Sequence, residues 1–83
     1  DVMAVVEDCR DGFVYCEQRN KFFKGDTLES LEPGKKPQSF VVTELFDENG
    51  EPTDSTPRAM MKFKIRSDLK FVPGTILRKQ NIK

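Results

Sequence analysis

Residues 20–33 read NKFFKGDTLESLEP, and the fold depends on whether this stretch is helical or extended. Asp26 followed by Glu29 fits a helix capping box, and two leucines share one helical face. A helix over residues 27–32 would contain only a single turn, which is marginally stable without strong packing. Because strand patterns lie on both sides, we favour a short bulged strand over that helical turn.

A β-hairpin is predicted before this stretch. Residues 2–6 (VMAVV) and 13–18 (FVYCEQ) are rich in β-branched and aromatic side chains, which favour strands. Asp11 and Gly12 between them are typical turn residues. The chain should therefore reverse at this dipeptide and pair the two segments.

The register of this hairpin has two alternatives. A two-residue turn would place Glu7 opposite Cys16. A three-residue loop would instead point Ala4 and Val6 inward, beside Val14 and Cys16. Either register gives two paired strands, so the hairpin is predicted in both cases.

The two cysteines, Cys9 and Cys16, flank this turn. With a two-residue turn Cys9 faces Val14, so the thiols are diagonal across the strand pair rather than opposed. A metal site would need two more ligands, and the sequence has no His and no third Cys. We therefore expect two free, reduced thiols, no cofactor in this domain and a cytoplasmic protein.

The clearest strand pattern follows a Pro-Gly-Lys-Lys-Pro loop. Residues 39–46 (SFVVTELF) are β-branched and aromatic, and they lead to Asn49-Gly50. Asn-Gly favours a type I′ turn with positive φ at both central residues, so the chain should reverse there. The return segment, residues 51–57, is polar and interrupted by proline, which predicts an edge segment or a loop.

Residues 60–66 (MMKFKIR) alternate between apolar and basic side chains, which predicts a half-buried strand. Met61, Phe63 and Ile65 would face the core. Residues 75–78 (TILR) form a last short strand. About six short strands separated by turns, with no long helix, predict an all-β fold, a small closed or partly open β-barrel.

Eighty-three residues provide one core, so residues 1–83 are predicted to be a single domain. The chain starts at Asp1 without an initiator Met or a signal peptide, which suggests a piece of a longer protein. No apolar run approaches the ~20 residues that span a bilayer, so we expect no membrane association.

The net charge of zero hides an asymmetry. Residues 1–58 hold seven Lys or Arg and thirteen Asp or Glu, whereas residues 59–83 hold seven basic residues and only Asp68. A basic strand face of Lys62, Lys64 and Arg66, with Arg78 expected on a neighbouring strand, could bind phosphates. The alternative is an ordinary solvated strand face, whose lysines discourage aggregation.

The sequence contains no recognisable catalytic centre. Without His there is neither a Ser-His nor a Cys-His pair, and the scattered glycines form no phosphate-binding loop. Five carboxylates around Asn49-Gly50 could attract a cation, but their spacing does not fit a calcium loop. Phe22 and Phe23 could stack on a base or a partner, although adjacent aromatics more often divide between core and surface.

These residues give the chain a family resemblance. It resembles the C-terminal domain of the peptidase U32 family, whose pattern has a hairpin, Asn-(Lys/Arg)-Phe, a short gap, Gly-Asp-x-Leu-Glu and a Pro. The matching positions are Asn20, Lys21, Phe22, Gly25, Asp26, Leu28, Glu29 and Pro33. Pro57 and residues 74–78 match later parts of the pattern, while Ser30 departs from its usual apolar residue.

The resemblance implies an accessory β-barrel like those of translation factors, placed behind a larger barrel domain that carries the chemistry. Family members are described as peptidases, that is hydrolases, and related members hydroxylate RNA with an iron–sulfur cluster bound by upstream cysteines. None of those catalytic or ligating residues maps onto this chain, so the resemblance assigns no role to Cys9 or Cys16.

The implied partners are the upstream catalytic domain of the same chain and either a protein substrate or a tRNA or rRNA. In a peptidase, the domain would bind substrate or partner through exposed hydrophobic residues such as Phe22, Phe23 and Met60. In an RNA-modifying enzyme it would contact RNA through Lys62, Lys64 and Arg66.

Overall fold

A single antiparallel sheet makes up the fold. The computed structural model describes residues 2–56 and 61–79, and within them no helix is present. The strands are β1 (Val2–Arg10), β2 (Phe13–Gln18), β3 (Thr27–Leu31), β4 (Ser39–Val41), β5 (Leu45–Asp47), β6 (Lys62–Arg66) and β7 (Ile76–Lys79). Their order is β4-β3-β7-β1-β2-β6-β5, and the sheet curls into a half-barrel. The all-β prediction is confirmed.

The core lies on the concave side of this sheet because alternate residues of each strand point there. Met61, Phe63 and Ile65 are 8%, 3% and 0% exposed, as the alternation in residues 60–66 predicts. Other buried residues include Ala4, Val6, Val14, Cys16, Leu28, Val42, Leu45 and Leu77. Met60 and Pro57 lie outside the described residues.

The first hairpin combines features of both predicted registers. Asp11 (φ 55°) and Gly12 (φ 79°) form the expected two-residue turn. The prediction that Glu7 would face Cys16 is wrong, because a β-bulge shifts the register between Val6 and Asp8 and places Val6 opposite Cys16. The extra residue lets a tight turn coexist with an inward-pointing Val6.

Residues 27–31 form β3, which confirms the strand interpretation, but the predicted bulge is wrong because the strand pairs with β4 and β7 in continuous register. In β3, Leu28 and Ser30 are buried while the intervening residues are half-exposed. The strand pairs with β4 on one side and β7 on the other, so it makes backbone hydrogen bonds that an isolated helical turn would lack. Two flanking strands therefore outweigh the local capping signal.

The predicted strand over residues 39–46 is divided, so the described residues form seven strands where the sequence predicts about six. β4 pairs with β3 and β5 pairs with β6, at opposite ends of the sheet. One straight strand cannot reach both ends, so the chain bends after Val41. Val42 anchors the bend, because its N–H donates to Asp26 O and its carbonyl accepts from Gly25 N.

The turn after β5 reverses the chain as predicted, but it is not a type I′ turn. Gly50 has a positive φ of 81°, whereas Asn49 does not. The Asp47 carboxylate accepts hydrogen bonds from Asn49 N and Glu51 N at 2.9 and 3.0 Å, which stabilises the observed turn. The segment after it makes isolated bridges at Pro52 and Ser55, confirming an edge or loop.

Candidate contact surface on the outer face of β2, β5 and β6

The strand register brings aromatic and basic side chains together on the convex side of the sheet. In β2, Val14 and Cys16 point inward, so Phe13 and Tyr15 point outward. Tyr15 lies opposite Lys64 of β6, and Lys64 lies opposite Phe46 of β5. We call this surface the outer face; its members are Phe13, Tyr15, Phe46, Lys62, Lys64 and Arg66.

Three rings form a cluster on the outer face. The Phe13 ring packs edge-to-face on Tyr15, with centroids 6.4 Å apart, and on Phe46, with centroids 5.6 Å apart. All three side chains are half-buried. Edge-to-face pairs are stabilising because the positive ring edge meets the negative ring face. The cluster therefore presents partly accessible aromatic surface.

Lys64 lies over this cluster. Its Nζ is 4.4 Å from the Phe13 centroid, 5.7 Å from that of Tyr15 and 5.9 Å from that of Phe46. Such distances are typical of cation–π contacts. Within residues 2–56 and 61–79 no carboxylate forms an ion pair with Lys64. Its charge is thus held by the rings without being neutralised.

Lys62, by contrast, is engaged by two carboxylates. Its Nζ donates to Glu7 at 2.5 Å and to Glu17 at 2.9 Å. The hydrogen bonds to Glu7 and Glu17 raise the pKa of Lys62, and those from Lys62 and Arg19 lower the pKa of Glu17. Lys62 contributes little free positive charge to the outer face.

The two arginines near the rings are also paired. Arg66 Nε lies 3.2 Å from Glu44, and its guanidinium carbon is 5.5 Å from the Phe13 centroid. Arg10 bonds to Asp8, which raises the pKa of Arg10, and lies 4.2 Å from the Tyr15 centroid. These ion pairs are exposed, so a phosphate could compete for either guanidinium.

Arg78 does not join this surface. The expectation that its strand neighbours β6 is wrong, because β1 and β2 lie between β6 and β7. Arg78 instead lies opposite Glu29 of β3, and its Nη2 is 2.6 Å from that carboxylate. The basic residues predicted as one group thus occupy two separate regions.

Phe22 and Phe23 divide between core and surface, as expected for adjacent aromatics. Phe22 is 1% exposed and packs edge-to-face on Phe63 at 5.2 Å. Its backbone N–H donates to Thr56 Oγ1. Phe23 is 49% exposed, with Lys21 Nζ 5.2 Å from its ring centroid. Phe22 thus belongs to the core, and only Phe23 is accessible to a partner.

The thiols show no catalytic arrangement. Cys9 Sγ donates to Phe71 O at 3.4 Å and accepts from Phe71 N at 3.3 Å, and the two cysteines are not bonded to each other. Burial raises the pKa of Cys16, which keeps its thiol protonated and unreactive.

Two kinds of feature are absent from the described part of the chain, residues 2–56 and 61–79. No cluster of three or more His, Cys, Asp or Glu is arranged to hold a metal ion. None of its elements is a helix with the length and apolarity to cross a bilayer.

Sequence reasoning missed the three rings of the outer face. The strict alternation in FVYCEQ was the available signal, since burial of Val14 and Cys16 requires Phe13 and Tyr15 to face out. Phe46 could not be placed beside them, because that depends on β5 pairing with β6.

Comparison with known proteins identifies the family. The family model described as peptidase family U32 C-terminal domain matches residues 1–78. This chain belongs to that family. The U32 C-terminal domain of Geobacillus thermoleovorans, in its selenomethionine variant, superimposes with a TM-score of 0.88 at 23% identity, covering 95% of this chain and 99% of that one. A second crystal structure of the same domain gives 0.82 at 25% identity, covering 96% and 90%.

A curated relative shares sequence as well. The tRNA hydroxylation protein P1 of Bacillus subtilis (strain 168) is 30% identical over 66 residues, which is 80% of this chain. The chain spans 16% of that relative's length. The matched region is thus a small part of that larger protein.

Proposed function

We propose that this U32 C-terminal domain is a non-catalytic module that contacts RNA through its outer face, within a larger cytoplasmic protein whose upstream domain carries the chemistry. Lys64 is the observation that carries the proposal, because its ammonium lies over three rings and is paired with no carboxylate among the described residues. Aromatic rings interleaved with cations bind bases and phosphates together.

The name of the curated relative supports RNA over a protein substrate. That relative is described as a tRNA hydroxylation protein, and its similarity covers most of this domain. The family name instead suggests a peptidase, for which the domain would recruit protein. The outer face favours RNA because its hydrophobic surface is aromatic and carries an unneutralised cation.

The ion pairs limit how RNA would be held. Lys62 and Arg66 are paired with carboxylates, so the outer face is not a continuous phosphate-binding stripe. Affinity should come mainly from ring contacts and from about one or two phosphate contacts. The slope of log affinity against log salt should accordingly be about −1 to −2, far shallower than for a protein with many phosphate contacts.

Fluorescence anisotropy with labelled tRNA tests this function at low and moderate salt. Lys64→Glu should weaken binding about tenfold or more, which corresponds to about 1.4 kcal/mol. Lys36→Glu is the matched control, since it makes the same charge change on an exposed lysine of the β3–β4 loop, and it should stay within about twofold. Absence of tRNA binding, or equal losses in both variants, would refute the proposal.

A further inference from the structure

We infer that a concavity next to the outer face takes one unpaired nucleobase, so that RNA crosses this domain as a single strand. The concavity measures about 190 Å³ and lies between the turn at residues 23–26, which we call the Phe23 turn, and Phe46. The inference rests on the proposed RNA contact and specifies which form of RNA is bound.

Hydrogen bonds hold the backbone of the Phe23 turn, although its aromatic side chain is exposed. Phe23 N donates to the Asp26 carboxylate at 2.9 Å, and Asp26 N donates to Phe23 O at 3.0 Å. Lys24 N donates to Asp54 O, and Gly25 N to Val42 O. The fold thus fixes this backbone while leaving the Phe23 ring 49% exposed. An aromatic side chain on a fixed backbone loses little entropy when a partner binds.

The concavity connects this turn to the outer face. Lys24 and Asp54 line its end at the Phe23 turn, while Phe46 and Pro52 are apolar parts of its lining. Phe46 also belongs to the three-ring cluster. An RNA strand on the outer face could therefore continue past Phe46 towards Phe23 and meet aromatic surface along the path.

The size and lining of the concavity fit a base better than a phosphate. Its volume is below the ~300 Å³ of the smallest typical ligand pockets, so a single planar ring system is the largest suitable group. Its lining residues include two acids, Glu44 and Asp54, against one lysine, Lys24, and this net negative charge disfavours a phosphate. Carboxylates instead accept hydrogen bonds from the amino and imino groups of a base edge.

This chemistry requires an unpaired strand. In a duplex the bases are stacked and their pairing edges are occupied, so only phosphates and sugars would reach a shallow site. A single strand can place one base in the concavity and stack its neighbour on Phe23. Sequence-tolerant stacking of this kind is typical of modules that bind single-stranded nucleic acid.

The test uses the 83-residue chain with a fluorescein-labelled oligoribonucleotide, either single-stranded or annealed to its complement. Phe23→Ala should weaken binding of the single strand about tenfold, as loss of one stacked base does, and leave duplex binding unchanged. Val72→Ala is the matched control, because Val72 is equally exposed at 49% on a different loop, and it should change neither affinity.

Nuclear magnetic resonance locates the contact independently. The single strand should shift the amide signals of Lys24, Thr53 and Asp54, and the duplex should not. Unchanged affinity in Phe23→Ala, equal losses for single strand and duplex, or unshifted signals would overturn the inference. If Lys64→Glu still weakens tRNA binding in that case, the proposed function stands alone; if no RNA binds, both fail.

Discussion

β6 and β7 both direct cations outward, yet the two regions differ in what surrounds those cations. On β6, Lys64 lies over Phe13, Tyr15 and Phe46 without a carboxylate partner among the described residues. On β7, Arg78 lies opposite Glu29 and bonds to it. The number of basic residues on a strand thus says little about the surface they form.

Neighbouring strands account for this difference. β6 lies between β2 and β5, which place rings opposite Lys64 and Arg66, whereas Lys62 faces Glu17. β7 lies between β1 and β3, and β3 supplies a carboxylate at the facing position. A ring holds a cation without cancelling its charge, whereas a carboxylate neutralises it. Of these two regions as the structure describes them, the β6 region is the one that keeps a cation, Lys64, without a carboxylate partner.

The largest expected effect is the loss of stability when a ring of the β6 region is removed. Phe13→Ala removes two edge-to-face contacts and the apolar surface under Lys64, and it should lower the free energy of unfolding by about 1–3 kcal/mol. Urea unfolding measures this change. Phe13→Leu keeps most of the apolar surface and should recover about half of the loss. A loss below about 0.5 kcal/mol for Phe13→Ala would show that the cluster is not cohesive.

The second-largest expected effect is on RNA affinity, which should fall when β6 loses its cation but not when β7 does. Lys64→Met removes a charge from β6 and should weaken tRNA binding about three- to tenfold, in line with loss of one cation from an RNA contact. Arg78→Met removes a charge from β7 and should change binding less than about twofold, because Glu29 already neutralises Arg78. Parallel anisotropy titrations compare the variants. Similar losses in both would remove the distinction between the regions.

The ion pairs of Lys62 on β6 should make the stability of the fold depend on pH. Folding lowers the pKa of Glu17. The ionised Glu17 therefore stabilises the fold at pH values above the pKa that Glu17 has in the unfolded chain. This stability is lost as the pH falls through the lower pKa that Glu17 has in the folded chain. Folding raises the pKa of Lys62. The contribution of the charged Lys62 to stability is therefore present at pH values below its pKa in the unfolded chain, and it is lost as the pH rises through its higher pKa in the folded chain. Lys62→Met should flatten both declines of the free energy of unfolding, which urea unfolding measures at a series of pH values. An unchanged acid decline would show that other carboxylates cause it.

The smallest expected effect comes from removing the carboxylate of the β7 region. Glu29→Gln should lower the free energy of unfolding by at most about 1 kcal/mol, because exposed ion pairs contribute little and are screened by salt. It should also raise tRNA affinity, by no more than about twofold, because Arg78 becomes available. Urea unfolding and anisotropy measure the two effects. A decrease in tRNA affinity would contradict the role assigned to Glu29.

Local patterns predicted much of the fold. The alternation in residues 60–66 identified the buried and exposed sides of β6, and the strand interpretation of residues 27–32 was confirmed by β3. The Asp11-Gly12 turn was also found. Each of these depends on side-chain period or turn conformation, which are properties of a short segment.

The features that local patterns missed depend on contacts between distant segments. The bulge near Glu7 exists because β1 must satisfy both the turn and the core. The break after Val41 exists because β4 and β5 pair at opposite ends of the sheet. Neither requirement is visible within its own segment.

The sequence by itself determined which side chains face outward on β6, because strand alternation has a fixed period of two residues. The pattern in residues 20–33 also carried the family resemblance, and the family model that matches residues 1–78 confirms the family. Only the tertiary structure decided that Lys64 meets rings while Arg78 meets Glu29. The reason is that strand order and register, which set every cross-strand neighbour, result from pairing across the whole chain.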